Sequence, residues 1–194
     1  KTQVYMRLID RALQAGKSAI VLVPEIGLTP QLIRKFMAQF GSCTAVLHSA
    51  LSVGERYDSW KRIRSGEARV IVGTRSAVFA PAQNLGLIIL DEEQDDAYKS
   101  ENSPRYHARD VAKYRAMQEN AFVLLGSATP AIETFYGAET GKYPVLHLRE
   151  RYSGAALPRV TIADMRGTIQ QGYISAIGPV LRQAMQRCFA EGHQ

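Results

Sequence analysis

The stretch Leu-Gly-Leu-Ile-Ile-Leu-Asp-Glu-Glu-Gln, residues 85–94, decides how the rest of the chain is interpreted. Its apolar run predicts a strand that is buried on both faces, which is typical of a parallel sheet. The strand ends in two carboxylates, Asp91 and Glu92. One carboxylate suits Mg²⁺, which prefers hard oxygen ligands, and the next can accept a proton from an attacking water molecule. The alternative interpretation is a strand followed by a solvated acidic turn. It is the weaker one, because other motifs that suit the same chemistry occur elsewhere in the chain.

Apolar runs recur along the chain and alternate with helical patterns. The predicted strands cover residues 19–23, 44–47, 69–72, 87–90 and 122–125, and two later helices cover 107–118 and 130–137. Earlier helices are marked by a stop at Gly16, by Thr29 as an N-cap before Pro30, and by a Ser52–Glu55 capping box. Strands that alternate with helices predict an α/β fold, in which a mostly parallel sheet carries helices on both faces.

Polar residues follow each predicted strand at its carboxyl end, where open α/β sheets bind their ligands. The five strand ends are followed by Pro24-Glu25, His48-Ser49, Gly73-Thr74-Arg75, Asp91-Glu92 and Gly126-Ser127. Because the strands run parallel, we expect these segments to meet in one crevice. Their convergence is a stronger indication of a binding site than any one of the motifs.

The composition changes after residue 140. We predict a first domain over 1–140, a linker rich in Gly, Pro, Tyr and Arg over 141–158, and the truncated start of a second domain over 159–194. The last part is predicted to contain a strand at 159–163 and a helix that begins near Pro179. Since residue 1 is lysine rather than methionine, we expect the chain to be a piece of a longer protein.

The bulk composition sets broad limits on function. The 194 residues carry a formal net charge of +6, which gives weak support to a polyanionic partner. The two cysteines, Cys43 and Cys188, have no metal-type spacing, so neither a disulfide framework nor a zinc site is expected. Two free thiols fit a reducing cytosol. No run of about 18 apolar residues occurs, so we expect no membrane span.

Two motifs complement the acidic strand end. Lys1-Thr2 at a helix start has the form of the end of a phosphate loop, in which the lysine reaches the terminal phosphates and the hydroxyl ligates Mg²⁺. The pair is uninformative alone and becomes meaningful beside the two carboxylates. Ser127 and Thr129 follow the last strand of the sheet. We predict that Thr129 caps a helix at Pro130. This role does not exclude a second one, in which the hydroxyls link a nucleotide site to nucleic acid.

The segment 97–110 interleaves aromatic and cationic side chains. Tyr98 and Tyr106 alternate with Lys99, Arg105 and Arg109. Aromatic faces stack on unpaired bases while cations neutralise the phosphate backbone. A loop whose tyrosines pack down on the sheet is an equally good interpretation of the residue types. The segment begins soon after the predicted catalytic carboxylate, so a bound strand there could move that carboxylate.

Together these segments resemble the helicase motor of superfamily 2, and within it the replication-restart helicases of the primosome. The resemblance rests on KTQVY (1–5), LVPEIGLTPQL (22–32), LHSALSVGER (47–56), VGTRSAVFAP (72–81), LGLIILDEEQD (85–95), PRYHARDVA (104–112) and LGSATP (125–130). It implies a RecA-like P-loop NTPase lobe that is the first motor lobe. It also implies that the stretch around 98–109 is an aromatic-rich loop coupling single-stranded DNA to ATP hydrolysis.

The resemblance implies that ATP and Mg²⁺ bind at Lys1, Thr2, Asp91 and Glu92. Taken with the residue types at the strand ends and in the loop, the sequence predicts four sets of residues: for catalysis Glu92, Asp91 and Gln94; for ATP Lys1, Thr2, Ser127 and Thr129; for Mg²⁺ Thr2 and Asp91; and for DNA contacts Thr29, Thr74, Arg75, Tyr98, Lys99, Arg105 and Tyr106. The family usually has histidine where this chain has Gln94, which forms hydrogen bonds but cannot titrate near neutrality.

The resemblance also implies partners and a location. The implied partners are single-stranded and forked DNA, primosome proteins and single-strand-binding protein, in the bacterial cytoplasm at the nucleoid and with no membrane. Zinc is implied only for a part of the parent protein outside this chain. Two alternatives stay open: another superfamily-2 DNA translocase, and a nucleotide-independent DNA- or partner-binding module.

Overall fold

The structure is a computed structural model that describes residues 1–148, 160–167 and 175–192. Its residues form two compact units, Lys1–Val145 and Leu146–Gln194. The boundary between the units lies inside the segment predicted as a linker, and the finer division into 1–140, 141–158 and 159–194 stays a prediction.

The first unit is built on a five-stranded sheet with the order β2-β3-β1-β4-β5. The strands are β1 Ser18–Leu22, β2 Thr44–Leu47, β3 Val70–Gly73, β4 Leu85–Asp91 and β5 Phe122–Gly126. Every pairing between neighbouring strands is parallel. The predicted α/β class is confirmed, and all five strand ends lie at one edge of the sheet.

Helices cover both faces of this sheet. They are α1 Thr2–Gln14, α2 Pro30–Phe40, α3 Val53–Arg64, α4 Ala108–Glu119 and α5 Ile132–Glu139. Alternate residues of a strand point to opposite faces, so β4 contributes Ile89 to the core under α1 and α2, and Ile88 to the core under α3 and α4. Both residues are completely buried. The predicted two-sided covering of the sheet is confirmed.

The helix starts follow the predicted caps, with one exception. The Thr29 hydroxyl accepts a hydrogen bond from the Leu32 amide at 3.2 Å, and Ser52 forms the complete capping box with Glu55. The prediction that Thr129 caps the next helix is wrong. That helix begins two residues later than predicted, at Ile132, and its N-cap residue has no capping side chain.

The second unit contains α6, Pro179–Ala190, with proline in its first turn as predicted. The strand predicted at 159–163 is wrong for residues 160–163, which form no regular structure; residue 159 lies outside the described residues. The reason is that a strand needs a neighbour for its backbone hydrogen bonds, and no described residue pairs with this segment. Among the described helices none is long and apolar enough to cross a bilayer.

Candidate functional site

The turn after β4 places the two predicted acidic residues at the carboxyl edge of the sheet. Glu92 has a φ of 47°, a left-handed conformation that is unfavourable for a residue with a side chain and that clusters at functional sites. Two hydrogen bonds hold the turn: the Glu93 amide donates to the Gly126 carbonyl at 3.1 Å, and the Asp95 amide donates to the Glu92 carbonyl at 2.9 Å. The backbone around Glu92 is therefore fixed by β5.

The start of α1 brings Lys1 to these carboxylates. The Lys1 ammonium donates to Glu92 Oε1 and lies 3.4 Å from Asp91 Oδ1. Burial lowers the pKa of Lys1, but the hydrogen bond to Glu92 and the two negative charges outweigh it, so the net pKa is raised. The hydrogen bond from Lys1, followed by one from Gln94, lowers the pKa of Glu92 and keeps it ionised. All three predicted residues meet here.

Tyr5 is a residue of this site that sequence reasoning missed. Its hydroxyl donates to Asp91 Oδ1 at 2.8 Å from a ring that is only 4% exposed. Burial and the hydrogen bond to Asp91 raise the pKa of Tyr5 above its usual range, so the hydroxyl stays a donor. Gly126 makes room for it, because a Cβ there would lie 2.0 Å from the Tyr5 oxygen. The available signal was its position one helical turn after Lys1.

The donor set fits a nucleotide with Mg²⁺ rather than an independent metal centre. Mg²⁺ is usually held by one or two carboxylates together with substrate phosphates, and the site offers Asp91 and Glu92. Among the described residues no group of three or more His, Cys, Asp or Glu side chains could hold a metal by itself. Lys1 and the first amides of α1, which begins at Thr2, are donors of the kind that bind phosphates.

A chain of hydrogen bonds runs from Glu92 to the segment after β5. Gln94 Nε2 donates to Glu92 Oε2 at 3.0 Å, and the Ser127 hydroxyl donates to Gln94 Oε1 at 2.6 Å. The Thr129 amide donates in turn to the Ser127 hydroxyl at 2.9 Å. An amide side chain suits the middle position because it donates and accepts at once. The structure thus brings the four predicted residues into one network.

The carboxylate next to this pair, Glu93, was also missed. It is completely buried and accepts hydrogen bonds from the Ala131 amide at 2.8 Å, the Thr134 hydroxyl at 3.0 Å and Arg109 Nη1 at 3.1 Å. Arg109 is only 12% exposed in its side chain, so it does not neutralise a phosphate backbone as its sequence context had indicated. The sequence signal that could have identified Glu93 is its position as the third of three consecutive acidic residues, 91–93.

The expectation that Tyr98 stacks on a base is corrected. Its ring is completely buried in the core, and its hydroxyl lies 2.9 Å from the Leu22 carbonyl and 2.6 Å from the Asp91 carbonyl. The tyrosine packs down on the sheet, which was the alternative interpretation of the segment. A ring without exposed surface offers no face to a nucleotide.

Three more predicted DNA contacts are partly or largely buried. Arg75 donates to the carbonyls of Ala97, at 3.3 Å, and Lys99, so its guanidinium ties the loop to the segment after β3. Tyr106 is half-buried, with its ring edge-on to Phe79 at 4.9 Å between centroids. Thr74 is 5% exposed. Arg75 and Tyr106 therefore have internal partners that hold the loop, and contact of these three residues with DNA stays a prediction.

The remaining predicted DNA contacts are open to solvent. Thr29, Lys99 and Arg105 are exposed, although the Thr29 hydroxyl already caps α2. Lys99 pairs with His107 in an isolated antiparallel bridge that joins the two ends of the loop. We call residues 99–107 the bridged loop. Its two cations, Lys99 and Arg105, are exposed, and their contact with a phosphate backbone stays a prediction.

Comparison with known proteins gives a consistent result. The family description of DEAD/DEAH box helicases matches residues 1–136. "Replication restart protein PriA" of Bacillus subtilis strain 168 is 46% identical over 194 residues, which is 100% of this chain and 24% of that protein. The protein of the same name from Synechocystis is 45% identical over 199 residues, with the same coverage of 100% and 24%. The chain thus spans about a quarter of the length of these relatives.

Solved structures match at lower similarity. The helicase domain of Hef from Pyrococcus furiosus is 14% identical, with a TM-score of 0.43 over 70% of this chain and 28% of that one. The description of the fold therefore rests on the strand order and the contacts given above.

Proposed function

This chain belongs to the DEAD/DEAH box helicase family, and from that premise we propose that it is the first, ATP-binding lobe of a DNA helicase motor that acts in replication restart. The proposal is supported by the similarity to replication restart proteins over the whole chain. The observation that carries it is the meeting of Lys1, Asp91 and Glu92 at the carboxyl edge of the sheet.

In this proposal the site residues divide the work on ATP. Lys1 and the start of α1 would bind the phosphates, and Thr2 and Asp91 would hold Mg²⁺. The ion would supply charge neutralisation for the transferring phosphoryl group. Glu92 orients the attacking water and accepts its proton, which its ionised state allows. Because Lys1 donates to Glu92, a phosphate that binds Lys1 competes with this contact and frees the Glu92 carboxylate.

We propose that the hydrogen-bonded chain through Gln94 transmits changes in the position of Glu92 during hydrolysis to the segment after β5. Ser127 and Thr129 lie at the start of the segment that leads to α5, and Gln94 connects them to Glu92. A change in the position of Glu92 therefore reaches this segment directly. Glutamine performs this connection at any pH near neutrality, because an amide does not titrate there.

DNA is proposed to contact the exposed residues Thr29, Lys99 and Arg105. Their chemistry suits a phosphate backbone, and the bridged loop that carries Lys99 and Arg105 starts seven residues after Glu92. We propose single-stranded and forked DNA as the substrate. Primosome proteins and single-strand-binding protein are proposed as partners of the longer protein, in the bacterial cytoplasm at the nucleoid. Any zinc site is proposed to lie outside this chain.

The test is ATP hydrolysis by the full-length protein that contains this chain. Rates are measured without DNA, with single-stranded DNA and with forked DNA, for the unmodified protein and for Glu92→Gln. We expect DNA to stimulate hydrolysis and the variant to lose it at all DNA concentrations while it still binds nucleotide. Glutamine cannot accept the proton but keeps the size of the side chain.

Two other outcomes would redirect the assignment. DNA binding without hydrolysis under any condition would support a nucleotide-independent binding module. Hydrolysis and movement on DNA without preferential unwinding of forks would support another superfamily-2 translocase.

A further inference from the structure

Glu93 lies outside the nucleotide site and connects two helices through its buried carboxylate. Oε1 accepts the Ala131 amide at 2.8 Å, whereas Oε2 accepts Arg109 Nη1 at 3.1 Å and the Thr134 hydroxyl at 3.0 Å. Arg109 also donates to the Thr134 hydroxyl, at 3.4 Å. A fully buried charge is tolerated only with such partners. Both carboxylate oxygens of Glu93 therefore accept hydrogen bonds from residues at the starts of α4 and α5.

The network joins three segments that the proposed function treats separately. Glu93 directly follows Glu92 in the turn after β4. Arg109 lies in the first turn of α4, immediately after the bridged loop. Ala131 is the N-cap residue of α5 and lies two residues after the Ser127–Thr129 segment. A shift of either helix start therefore changes the contacts of the residue next to Glu92.

We propose that Glu93 and Arg109 form a positioning pair that makes ATP hydrolysis depend on DNA held by the bridged loop. This inference rests on the proposed function. DNA that contacts Lys99 and Arg105 fixes the loop, and the Lys99–His107 bridge passes that constraint to the start of α4. Arg109 then holds Glu93, and Glu93 holds the left-handed turn that presents Glu92. Neither residue touches the reacting atoms.

A purely structural ion pair would behave differently. Removing one partner of a buried pair leaves an uncompensated charge, which lowers stability and would reduce basal and stimulated hydrolysis together. A positioning pair lowers the stimulated rate alone. The ratio of the two rates at saturating DNA is therefore the informative quantity.

The main variant is the double substitution Glu93→Gln with Arg109→Gln in the full-length protein. It removes both charges at once, so no unpaired charge stays buried, and glutamine can still accept the Ala131 amide. We expect stimulation by single-stranded DNA to fall about tenfold, the size of a typical coupling between two sites. The basal rate and the dissociation constant for DNA are expected to stay within about twofold of the unmodified protein, because the pair acts on the coupling between the two sites and touches neither nucleotide nor DNA.

The same helix offers a matched control. Arg115 and Glu119 form an ion pair at 2.8 Å on α4, away from the turn after β4. The double substitution Arg115→Gln with Glu119→Gln removes one positive and one negative charge, as the main variant does, and its arginine lies on the same helix as Arg109. It also removes the charge of a side chain that donates to the Val78 and Ala80 carbonyls. We expect it to keep DNA stimulation even if it lowers the melting temperature, because its contacts do not reach the start of α4.

A milder variant protects the test against misfolding. Thr134→Val removes one hydroxyl donor to Glu93 and leaves the ion pair in place. We expect an intermediate loss of stimulation, about threefold, without a change in the basal rate. If circular dichroism shows that the main variant is unfolded, the stimulation measured in Thr134→Val decides whether the contacts of Glu93 are required for DNA stimulation.

Several results would overturn the inference. The first is unchanged stimulation in the Glu93/Arg109 variant or, if that variant is unfolded, unchanged stimulation in Thr134→Val. The second is a fall of the basal rate that parallels the fall of the stimulated rate. The third is an equal loss of stimulation in the Arg115/Glu119 control. Absence of any DNA-stimulated hydrolysis in the unmodified protein is a separate result, because it overturns the proposed function itself and the inference with it.

Discussion

The turn after β4 and the bridged loop differ in how their side chains are oriented. In the turn, Asp91, Glu92 and Gln94 meet the partners that their residue types indicate. Around the loop, Tyr98 and Arg75 turn inward although aromatic and cationic residues suggested contact with DNA. The turn directly follows a strand, and its backbone is held by the left-handed conformation of Glu92 and by the hydrogen bond from the Glu93 amide to the Gly126 carbonyl. The loop has no regular period, so packing decides which of its residues face solvent.

The largest expected effect comes from replacing a fully buried side chain next to the bridged loop. Tyr98→Ala empties a fully buried site in the core, and we expect it to destabilise the sheet by about 3–5 kcal/mol. Amide hydrogen exchange at β1 and β4 in the full-length protein measures this as a fall in the free energy of opening. The control Tyr98→Phe keeps the ring and should cost about 1–3 kcal/mol through the lost hydrogen bonds. Normal exchange in Tyr98→Ala together with weakened DNA binding would restore Tyr98 as a DNA contact.

The next effect tests the close packing on the nucleotide side. In Gly126→Ala the new methyl group would meet the Tyr5 hydroxyl, so we expect a loss of about 1–3 kcal/mol in stability and a higher Mg²⁺ requirement for nucleotide binding. Binding of a fluorescent nucleotide during Mg²⁺ titration measures the second effect. Tyr5→Phe removes the hydroxyl and should make a subsequent Gly126→Ala substitution less damaging. Equal damage in both backgrounds would show that the Tyr5 hydroxyl does not set the requirement for glycine.

A smaller effect is expected for the exposed part of the loop. Arg105→Ala should leave stability unchanged within about 0.5 kcal/mol, because the side chain is exposed. It should weaken single-stranded DNA binding and reduce the salt slope of that binding by about 1, as expected for the loss of one phosphate contact. Fluorescence anisotropy across a salt series measures both. An unchanged slope would remove Arg105 from the interface, and Arg166→Ala in the second unit serves as a charge-matched control.

The smallest effect concerns the middle of the hydrogen-bonded chain. Gln94→His introduces a group that titrates near pH 6.5, shifted upward by the neighbouring Glu92 carboxylate. Neutral histidine can accept the Ser127 hydroxyl as glutamine does, whereas protonated histidine cannot. We expect DNA-stimulated hydrolysis to fall as the pH drops through this pKa in the variant, relative to the unmodified protein. Superimposable pH profiles would show that the acceptor at residue 94 does not limit the stimulated rate.

Much of the architecture was predictable from the sequence because its signals are local and periodic. The five apolar runs predicted the five strands, and the caps at Thr29 and Ser52 predicted where α2 and α3 begin. The strand predicted at 159–163 is wrong for 160–163 because strand formation depends on a partner rather than on the segment alone. Thr129 shows a related error, since its backbone amide donates a hydrogen bond to the Ser127 hydroxyl and the helix starts only after Ala131.

By itself the sequence determined the order of strands and helices and the chemistry available at each strand end. A parallel sheet then brings those ends to one edge, which places Asp91 and Glu92 there. Lys1 precedes α1, and it is the packing of α1 on the sheet that brings its ammonium to these carboxylates. Only the tertiary structure decided which neighbouring side chains face the site and which face the core. It buried Glu93 against Arg109 and joined Tyr5 to Asp91. These contacts link residues far apart in the chain, and such pairing is set by packing rather than by local periodicity.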